Sequence, residues 1–158
     1  MEVAARPARL EDLDVLVALS AAFRAEQRLA RGGVLWDGRE APEPGRDFLE
    51  AAILAADQIC VVGTIDDMVF SFSVAGLEVT RDIATIGRIE LLYVDPDART
   101  VGVGEEVIGV VVAWCRSQGC VGIDAYALPG ERLTKNFFES NGFVARLLTM
   151  HHRFDPAS

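Results

Sequence analysis

Residues 99–104 have the sequence Arg-Thr-Val-Gly-Val-Gly and join two segments of different character. Before them stand an apolar stretch, Ile89-Glu90-Leu91-Leu92-Tyr93-Val94, which predicts a buried strand, and a turn, Asp95-Pro96-Asp97-Ala98. The segment that follows, up to Gly119, is predicted to be a helix. A helix N-terminus offers about four unpaired N–H groups and roughly half a positive charge. The stretch therefore predicts a place where backbone donors bind an anion such as a pyrophosphate.

Gly102 and Gly104 have no Cβ atoms that would hold a phosphate away from the backbone. The same glycines also suit a plain strand-to-helix turn, so the turn by itself leaves both interpretations open. Neither the dinucleotide pattern Gly-x-Gly-x-x-Gly nor the phosphate loop that ends in Gly-Lys-Ser/Thr occurs in the chain. Those two nucleotide-binding classes are therefore not predicted.

The wider run from Leu92 to Glu105 resembles the acyl-CoA-binding signature of the GNAT superfamily of N-acetyltransferases. That signature is a strand that ends in Val-x-Pro, then Arg or Gln-x-x-Gly-x-Gly or Ala, and then a helix. All of its fixed positions are met, by Val94, Pro96, Arg99, Gly102 and Gly104. The resemblance implies that the chain binds acetyl-CoA as a cosubstrate.

Length and composition bound the class of protein. A chain of 158 residues is predicted to form one domain, over residues 1–158. Its apolar fraction of 51% is too high for a disordered chain, and no apolar run approaches the roughly 18–20 residues that span a bilayer. The N-terminus, Met1 to Pro7, has no apolar signal-peptide core, so a cytoplasmic protein without a membrane partner is predicted.

The net charge of −9 argues against nucleic acid as a partner, because its phosphates are bound mainly by Lys and Arg. An acidic surface either favours a cationic or neutral substrate or serves only to keep the protein soluble. Of the three cysteines, Cys115 and Cys120 have no His or Cys partner at metal-ligand spacing. We therefore expect no metal site and interpret the cysteines as small buried hydrophobic residues.

Hydrophobic periodicity and turn residues predict the order strand, two helices, three strands, helix, strand, helix, strand. Strands are predicted at 3–6, 59–64, 68–74, 85–94, 121–127 and 143–154, helices at 9–23, 48–54, 104–119 and 133–140, and a long loop at 31–45. The helix after Gly104 is predicted against its local propensity, because its many β-branched residues mildly disfavour helix. This order is α/β, and it resembles the GNAT fold from end to end: a single domain with a mixed, mostly antiparallel central sheet flanked by helices.

In the family that this chain resembles, the fourth strand diverges from the fifth, and the pantetheine arm lies in the gap. The resemblance assigns backbone contacts with pantetheine and the thioester oxygen to the end of the fourth strand, and the pyrophosphate to residues 99–104. Because backbone groups make these contacts, Thr100, Val101 and Val103 are expected to vary freely. Arg99 is either a structural brace or a phosphate cation. The implied cofactor-binding residues are Leu92, Tyr93, Val94, Arg99, Thr100, Val101, Gly102, Val103, Gly104 and Phe138.

The segment Phe137 to Phe143 resembles the family's aromatic-x-x-x-Gly-Phe motif, with two departures nearby. Phe138 occupies the position of a tyrosine that commonly protonates the departing thiolate, and Glu131 stands where an asparagine often contacts the cofactor. A phenyl ring has no proton to donate, so we expect Phe138 to pack on the pantetheine. The thiolate either leaves unaided, since a thiol has a pKa near ~8.5, or takes a proton from Tyr126 on the fifth strand. Tyr126 is otherwise an interior or rim tyrosine with a satisfied hydroxyl.

A general base is also needed, because an attacking amine is mostly protonated at neutral pH. Glu90 interrupts an apolar strand, where a carboxylate must be paired, solvated or raised in pKa. We predict Glu90 as the catalytic base, with Asp124 as a weaker candidate. Arg88, two residues back on the same face, would make Glu90 a structural ion-pair partner instead. Both interpretations stay open at this point.

The sequence thus predicts an N-acetyltransferase that transfers an acetyl group from acetyl-CoA to a primary amine of a small molecule or a peptide, by direct attack in a ternary complex. The alternative is a non-catalytic acyl-CoA-binding or regulatory module with the same fold. The acceptor pocket is expected to involve residues 24–45, where Trp36 either walls the pocket or anchors the loop. The resemblance also allows a homodimer, although no residue demonstrates one.

Overall fold

Within residues 1–156, which the computed structural model describes, the central sheet has five strands whose spatial order follows the chain. The strands are β1 Val3–Pro7, β2 Gln58–Ile65, β3 Met68–Val79, β4 Thr85–Val94 and β5 Gly122–Asp124. The first four are antiparallel to their neighbours, and β5 is parallel to β4. The predicted α/β fold with a mixed, mostly antiparallel sheet is confirmed.

Helices cover both faces of this sheet. They are α1 Leu13–Arg28, α2 Gly33–Gly38, α3 Arg46–Leu54, α4 Val103–Ser117 and α5 Arg132–Ser140. The first three pack on one face, in a core that includes Phe72 and Trp36. The last two pack on the other face, in a core that includes Val61 and Ala75. The strands between these cores are therefore held in a hydrophobic layer on each side.

Helix α4 forms against its propensity because its apolar face is buried on the sheet. Val103, Val107 and Val111 are each at most 1% exposed. Packing of this kind outweighs the propensity difference of about 0.5 kcal/mol per β-branched residue. A Cβ atom at Gly63 on β2 would lie 2.6 Å from the Cγ2 of Val103, so the helix and the sheet approach as closely as a glycine allows. Because Val103 is a buried packing residue, the expectation that it varies freely is wrong.

The predicted loop at 31–45 contains the short helix α2, which ion pairs hold against α1. The Asp37 carboxylate accepts hydrogen bonds from Arg24 at 2.7 Å and from Arg28 at 3.0 Å. Burial alone would raise the pKa of Asp37, but these two guanidinium groups hold it below its usual value. Trp36 of the same helix is 6% exposed, so it anchors this segment to the core.

The predicted closing strand at 143–154 does not form in the described residues. The N–H of Phe143 donates to the carbonyl of Phe138 at 3.0 Å, and no backbone hydrogen bond follows between residues 144 and 156. The apolar side chains of this tail are exposed; they are Val144, Leu147, Leu148, Met150 and Phe154.

The reason lies in β5, which is shorter than the strand predicted at 121–127. It comprises Gly122–Asp124 and pairs with β4 through these three residues. After Asp124 the chain is no longer a strand, so a further strand would find only these three residues to pair with, and each residue of a strand pair contributes its own backbone bonds. Within the described chain, the tail therefore has no long strand edge beside it to pair with.

None of the helices in residues 1–156 has the length and apolar character of a membrane span. In the same residues, no three His, Cys, Asp or Glu side chains come together as a group that could hold a metal ion. Cys60 and Cys115 are buried, and Cys120 is half-buried. Burial raises the pKa of the Cys60 and Cys115 thiols to about 12, so both are protonated packing residues at neutral pH. Residues 157 and 158, which the predicted domain of 1–158 includes, lie outside the described residues.

Candidate active site

Strands β4 and β5 are hydrogen-bonded along only part of β4. The paired residues are Ile86–Arg88 on β4 and Gly122–Asp124 on β5. From residue 89 to 94, β4 keeps β3 on one edge and has no strand on the other within the described residues. The second half of β4 therefore has an open edge beside the point where the two parallel strands separate.

The hydrogen bonds to β3 establish which backbone groups of β4 face this open edge. The carbonyl of Tyr93 accepts a hydrogen bond from the Ser71 hydroxyl of β3 at 2.8 Å. Successive residues of a strand direct their N–H and C=O groups to opposite sides. The backbone groups of Leu92 and Val94 therefore face the open edge, where an extended ligand with amide groups can pair with them, whereas the backbone of Tyr93 faces β3.

The turn after β4 leads to the N-terminus of α4. Gly102 has a φ of +89°, a left-handed conformation that favours glycine, and the helix begins at the next residue. The N–H groups of residues 103–105 have no backbone partner in the described chain. Thr100 is exposed and Val101 is half-buried beside them. Unpaired N–H groups at the start of a helix have the arrangement that binds phosphate groups.

The structure explains the glycine at position 104, Gly104, by close packing, whereas the sequence suggests close approach of a phosphate. A Cβ atom there would lie 3.1 Å from the Cε2 of Phe137 and 3.2 Å from the Cγ2 of Val94. The glycine therefore lets the start of α4 pack against α5 and against the end of β4. A Cβ atom at Gly102 would meet only the Glu105 carboxylate, at 4.0 Å, so that position needs glycine for its φ.

Arg99 braces the turn in this structure. Its Nε donates to the Val94 carbonyl at 3.0 Å, and its Nη2 donates to both carboxylate oxygens of Glu26, at 3.0 and 2.8 Å. The guanidinium also lies 5.5 Å from the centroid of the Tyr93 ring. Through these contacts the guanidinium group of Arg99 is bonded to α1 and β4. Of the two roles predicted for Arg99, they favour the structural brace over the phosphate-binding cation.

A pocket of about 50 Å³ lies beside the open edge of β4. Its walls come from α1, α2, β4, the segment after β5, and α5. The lining residues are Phe23, Gln27, Trp36, Ile89, Glu90, Leu92, Tyr126, Leu128, Thr134 and Phe138. The predicted catalytic residues Glu90 and Tyr126 therefore meet in one pocket with Phe138 and Leu92 of the predicted cofactor set. Trp36 walls the pocket in addition to anchoring α2.

Strand β4 has a bulge at Glu90. Leu91 pairs with Val74 of β3 and Ile89 pairs with Ala75, so no residue of β3 lies opposite Glu90. A bulge of this kind redirects a side chain and is frequent next to active sites. It also explains why Leu91 belongs to the core under α1 while Ile89 belongs to the core under α4.

The Glu90 carboxylate accepts a hydrogen bond from the Nε of Arg88 at 2.8 Å, and its side chain is 19% exposed. Arg88 also donates to Glu78 at 3.1 Å, and the hydrogen bond to Glu90 is the main reason that the pKa of Arg88 lies above its ordinary value. The ion pair that the sequence offers as an alternative is therefore present. The same carboxylate lines the pocket, where its acceptor sites remain accessible to a substrate.

The other predicted residues differ in what they offer to the pocket. Tyr126 is 45% exposed and lies after the end of β5, not on the strand as predicted. Phe138 is buried and packs against Phe143 with ring centroids 5.1 Å apart, which leaves its ring as an apolar wall. Asp124 is hydrogen-bonded to the Nε of Arg146 at 2.9 Å and does not line the pocket.

Gln27 is a pocket residue that the sequence analysis does not name. It lies on α1, is 8% exposed and directs its side chain to the pocket. The helical period contains the signal that would have identified it, because Leu16, Ser20, Phe23 and Gln27 follow one another at the spacing of one helix face. A polar residue on the buried face of an amphipathic helix is the observation that sets it apart.

The sequence profile of the Acetyltransferase (GNAT) family matches residues 30–143. This chain therefore belongs to the GNAT acetyltransferase family, whose members are acyltransferases. No curated protein matches the chain.

Solved structures share the fold along nearly the whole chain. A tetramutant of the BH1408 protein from Bacillus halodurans has 18% identity and a TM-score of 0.83, over 98% of this chain and 100% of that one. AAC(6')-Iy in complex with the bisubstrate analogue CoA-S-monomethyl-acetylneamine has 17% identity and a TM-score of 0.75, over 98% and 99%. The aminoglycoside antibiotic 6'-N-acetyltransferase AAC(6')-Ih from Acinetobacter baumannii has 13% identity and a TM-score of 0.73, over 99% and 100%. At these identities the similarity establishes a common fold.

Proposed function

We propose that the protein is an N-acetyltransferase that transfers an acetyl group from acetyl-CoA to a primary amine of a small molecule or a peptide, by direct attack in a ternary complex. The observation that carries the proposal is the open edge of β4, which runs from the pocket at Glu90 and Leu92 to the turn before α4. An extended chain with amide groups pairs with such an edge as a strand does. The complexes of AAC(6')-Iy with CoA and with a CoA-containing bisubstrate analogue support acyl-CoA binding in this fold.

Acetyl-CoA supplies the acetyl thioester, and the residues of this chain position it and move the proton. Glu90 takes a proton from the ammonium group of the acceptor, directly or through water, which frees the nitrogen lone pair for attack. A new N–C bond then forms while the C–S bond breaks, and the second proton of the attacking nitrogen passes to water, so that the product is a neutral amide. An N–H of Leu92 or Val94 at the open edge donates to the thioester oxygen as negative charge develops there, and one such donor contributes about 3 kcal/mol in acyl-transfer enzymes.

The leaving thiolate receives no proton from Phe138. Because a thiol has a pKa near ~8.5, its thiolate leaves more readily than an alkoxide and takes a proton from water afterwards. General acid catalysis contributes about 10²–10⁴-fold, so the phenylalanine predicts a slow enzyme. The same residue also favours the second candidate function, a non-catalytic acyl-CoA-binding module in which the pocket is kept and turnover is lost.

A screen of amine acceptors with purified protein and acetyl-CoA tests the proposal, with the products detected by mass spectrometry. The decisive variant is Glu90→Gln, which keeps the size of the side chain and removes the base. We expect its kcat to fall by at least about 100-fold while acetyl-CoA binding changes little.

Glu78→Gln is the matched control, because Glu78 shares Arg88 with Glu90 but does not line the pocket. Loss of an exposed ion pair has a small effect, so the rate of this variant should stay within about threefold of the parent. Equal losses of activity and of Tm in the two variants would assign Glu90 to the ion pair. Binding of acetyl-CoA without acetylation of any amine would favour the binding module.

A further inference from the structure

The carboxylates at and beside the pocket are paired with cationic side chains. Glu139, the neighbour in sequence of the lining residue Phe138, is paired with Lys135. Glu90 is the one carboxylate among the lining residues in the described chain, and it is hydrogen-bonded to Arg88. Glu26 and Asp37 are the neighbours in sequence of the lining residues Gln27 and Trp36. The arginines bonded to these two carboxylates are Arg99, Arg24 and Arg28. A second ammonium group that entered the pocket would therefore lose its water and meet no free carboxylate in exchange.

The Gln27 amide is a polar group of the pocket without a partner. The residue is 8% exposed, and its side chain makes no hydrogen bond to the described residues. Among the described residues, the Nε of Arg24 is the one side-chain atom that has neither solvent contact nor a hydrogen-bond partner. The Gln27 amide is not such an atom, so solvent reaches it through the pocket. An amide that is bonded to no residue of the pocket is available to a ligand. A ligand that reaches Gln27 can therefore hydrogen-bond to it in place of water.

The size and the apolar walls of the pocket limit what can approach Gln27. Phe23, Trp36, Leu128 and Phe138 supply apolar surface around it. The pocket has a volume of about 50 Å³ and is partly open to solvent, so the rest of a larger acceptor can extend out of it. The pocket therefore takes the amine end of an acceptor and its nearest substituents, and a polar group that reaches Gln27 must stand close to the nitrogen.

We infer that the acceptor is a monoamine with an uncharged hydroxyl or amide oxygen close to its nitrogen, as in a 1,2-amino alcohol or an α-amino amide. The nitrogen lies at Glu90, and the oxygen accepts a hydrogen bond from the side-chain N–H of Gln27. The apolar remainder packs on Phe23 and Trp36. This inference rests on the proposed function and adds its substrate class.

The test compares kcat/KM for leucinol and leucinamide with kcat/KM for isopentylamine, which lacks the polar group, and for 1,3-diaminopropane, which carries a second ammonium group instead. Leucinol and leucinamide should exceed each of these by at least about tenfold, the effect of one hydrogen bond. Gln27→Leu should lower the ratio of leucinol to isopentylamine about tenfold, and its Tm should stay close to that of the parent, because no side-chain hydrogen bond within the described chain is lost. Gln118→Leu, an exposed position after α4, is the control and should leave the ratio unchanged.

The tripeptide Leu-Gly-Gly is a further acceptor, and comparing its kcat/KM with that of leucinamide distinguishes a peptide N-terminus from a free amino amide. A higher kcat/KM for either one than for isopentylamine supports the inference. Isopentylamine that is as good an acceptor as leucinol, or a Gln27→Leu variant that leaves the ratio unchanged, would overturn it. If Gln27→Leu does not fold, Gln27→Glu tests the same contact, because its carboxylate should shift the preference towards 1,3-diaminopropane; no shift would overturn the inference. Failure of the proposed function has a different signature, in which acetyl-CoA binds and no amine of any kind is acetylated.

Discussion

Phe138 walls the pocket, and in the proposed function it takes the place of a proton donor to the leaving thiolate. Phe138→Tyr adds a hydroxyl to a ring that already packs against Phe137 and Phe143, so the fold should be kept. We expect kcat to rise by at least about tenfold, because general acid catalysis is restored next to the sulfur. The measurement is the release of CoA at saturating acetyl-CoA and acceptor.

Tyr126→Phe is the control for this prediction, because Tyr126 is the tyrosine among the residues that line the pocket. Its activity should equal that of the parent if the thiolate leaves unaided. Loss of turnover with CoA binding intact would place the acid at Tyr126. A Phe138→Tyr variant that is no faster than the parent would mean that the ring lies away from the sulfur.

At the scale of single residues, the sequence predicts what a local motif contains and misses what cross-strand pairing decides. Glu90 is noticed as a carboxylate in an apolar strand, and its pairing with Arg88 is offered as one of two alternatives. The bulge that gives Glu90 its direction depends on the register between β3 and β4, which no local pattern encodes. Val103 is misjudged for a related reason, because its burial depends on how closely Gly63 lets α4 approach β2.

At the scale of elements, β1 is tied to the start of α1 by an ion pair. The guanidinium of Arg6 donates to both carboxylate oxygens of Asp12, at 2.8 and 3.1 Å, and the Arg9 N–H donates to the same carboxylate at 2.8 Å. The hydrogen bond from Arg6 is the main cause that holds the pKa of Asp12 below its ordinary value. A carboxyl group with a lowered folded-state pKa stabilises the protein above its unfolded pKa, and this contribution is lost as the pH falls through the folded pKa.

Asp12→Asn should therefore lower the free energy of unfolding by about 2 kcal/mol at neutral pH, less than for a fully buried pair because Arg6 is partly exposed. The difference from the parent should shrink in acid, once the Asp12 carboxylate of the parent is itself protonated. Urea unfolding at pH 7 and at pH 3 measures both values. A difference of the same size at the two pH values would show that the charge of Asp12 has no part in it. The exposed pair of Asp14 and Arg46 supplies the control, and Asp14→Asn should change stability by less than about 0.5 kcal/mol.

The prediction of secondary structure from the sequence fails for elements that form only when a neighbouring element pairs with them or holds them. The helix α4 is predicted correctly because its apolar period is strong, and packing on the sheet overrides its β-branched residues. The strand pattern at 143–154 is real in the sequence, but a strand needs an adjacent edge, and β5 ends at Asp124. The short helix α2 has no amphipathic period of its own and is held by the ion pairs of Asp37.

At the scale of the whole molecule, a protein with a net charge of −9 is proposed to bind a polyanion. The charge of Arg99 is already bonded to Glu26, and the first turn of α4 carries the exposed carboxylates of Glu105 and Glu106. Attraction for CoA must therefore come mainly from backbone N–H groups at the start of α4 and along β4. The homodimer that the family resemblance allows stays a prediction.

Calorimetric titration with CoA tests most directly whether the open edge of β4 and the start of α4 form the acyl-CoA site. The parent should bind, and Gly102→Glu, which places an anion at the turn, should weaken binding by at least about tenfold through like-charge repulsion. Gly102→Ala carries the same left-handed backbone strain without the charge and should weaken binding less. Gly109→Glu places the charge on an exposed position of the same helix, where a Cβ atom meets nothing within 4 Å, and should bind as the parent does. If Gly102→Glu binds CoA as tightly as the parent while its circular dichroism is native, the site lies elsewhere and the account is contradicted.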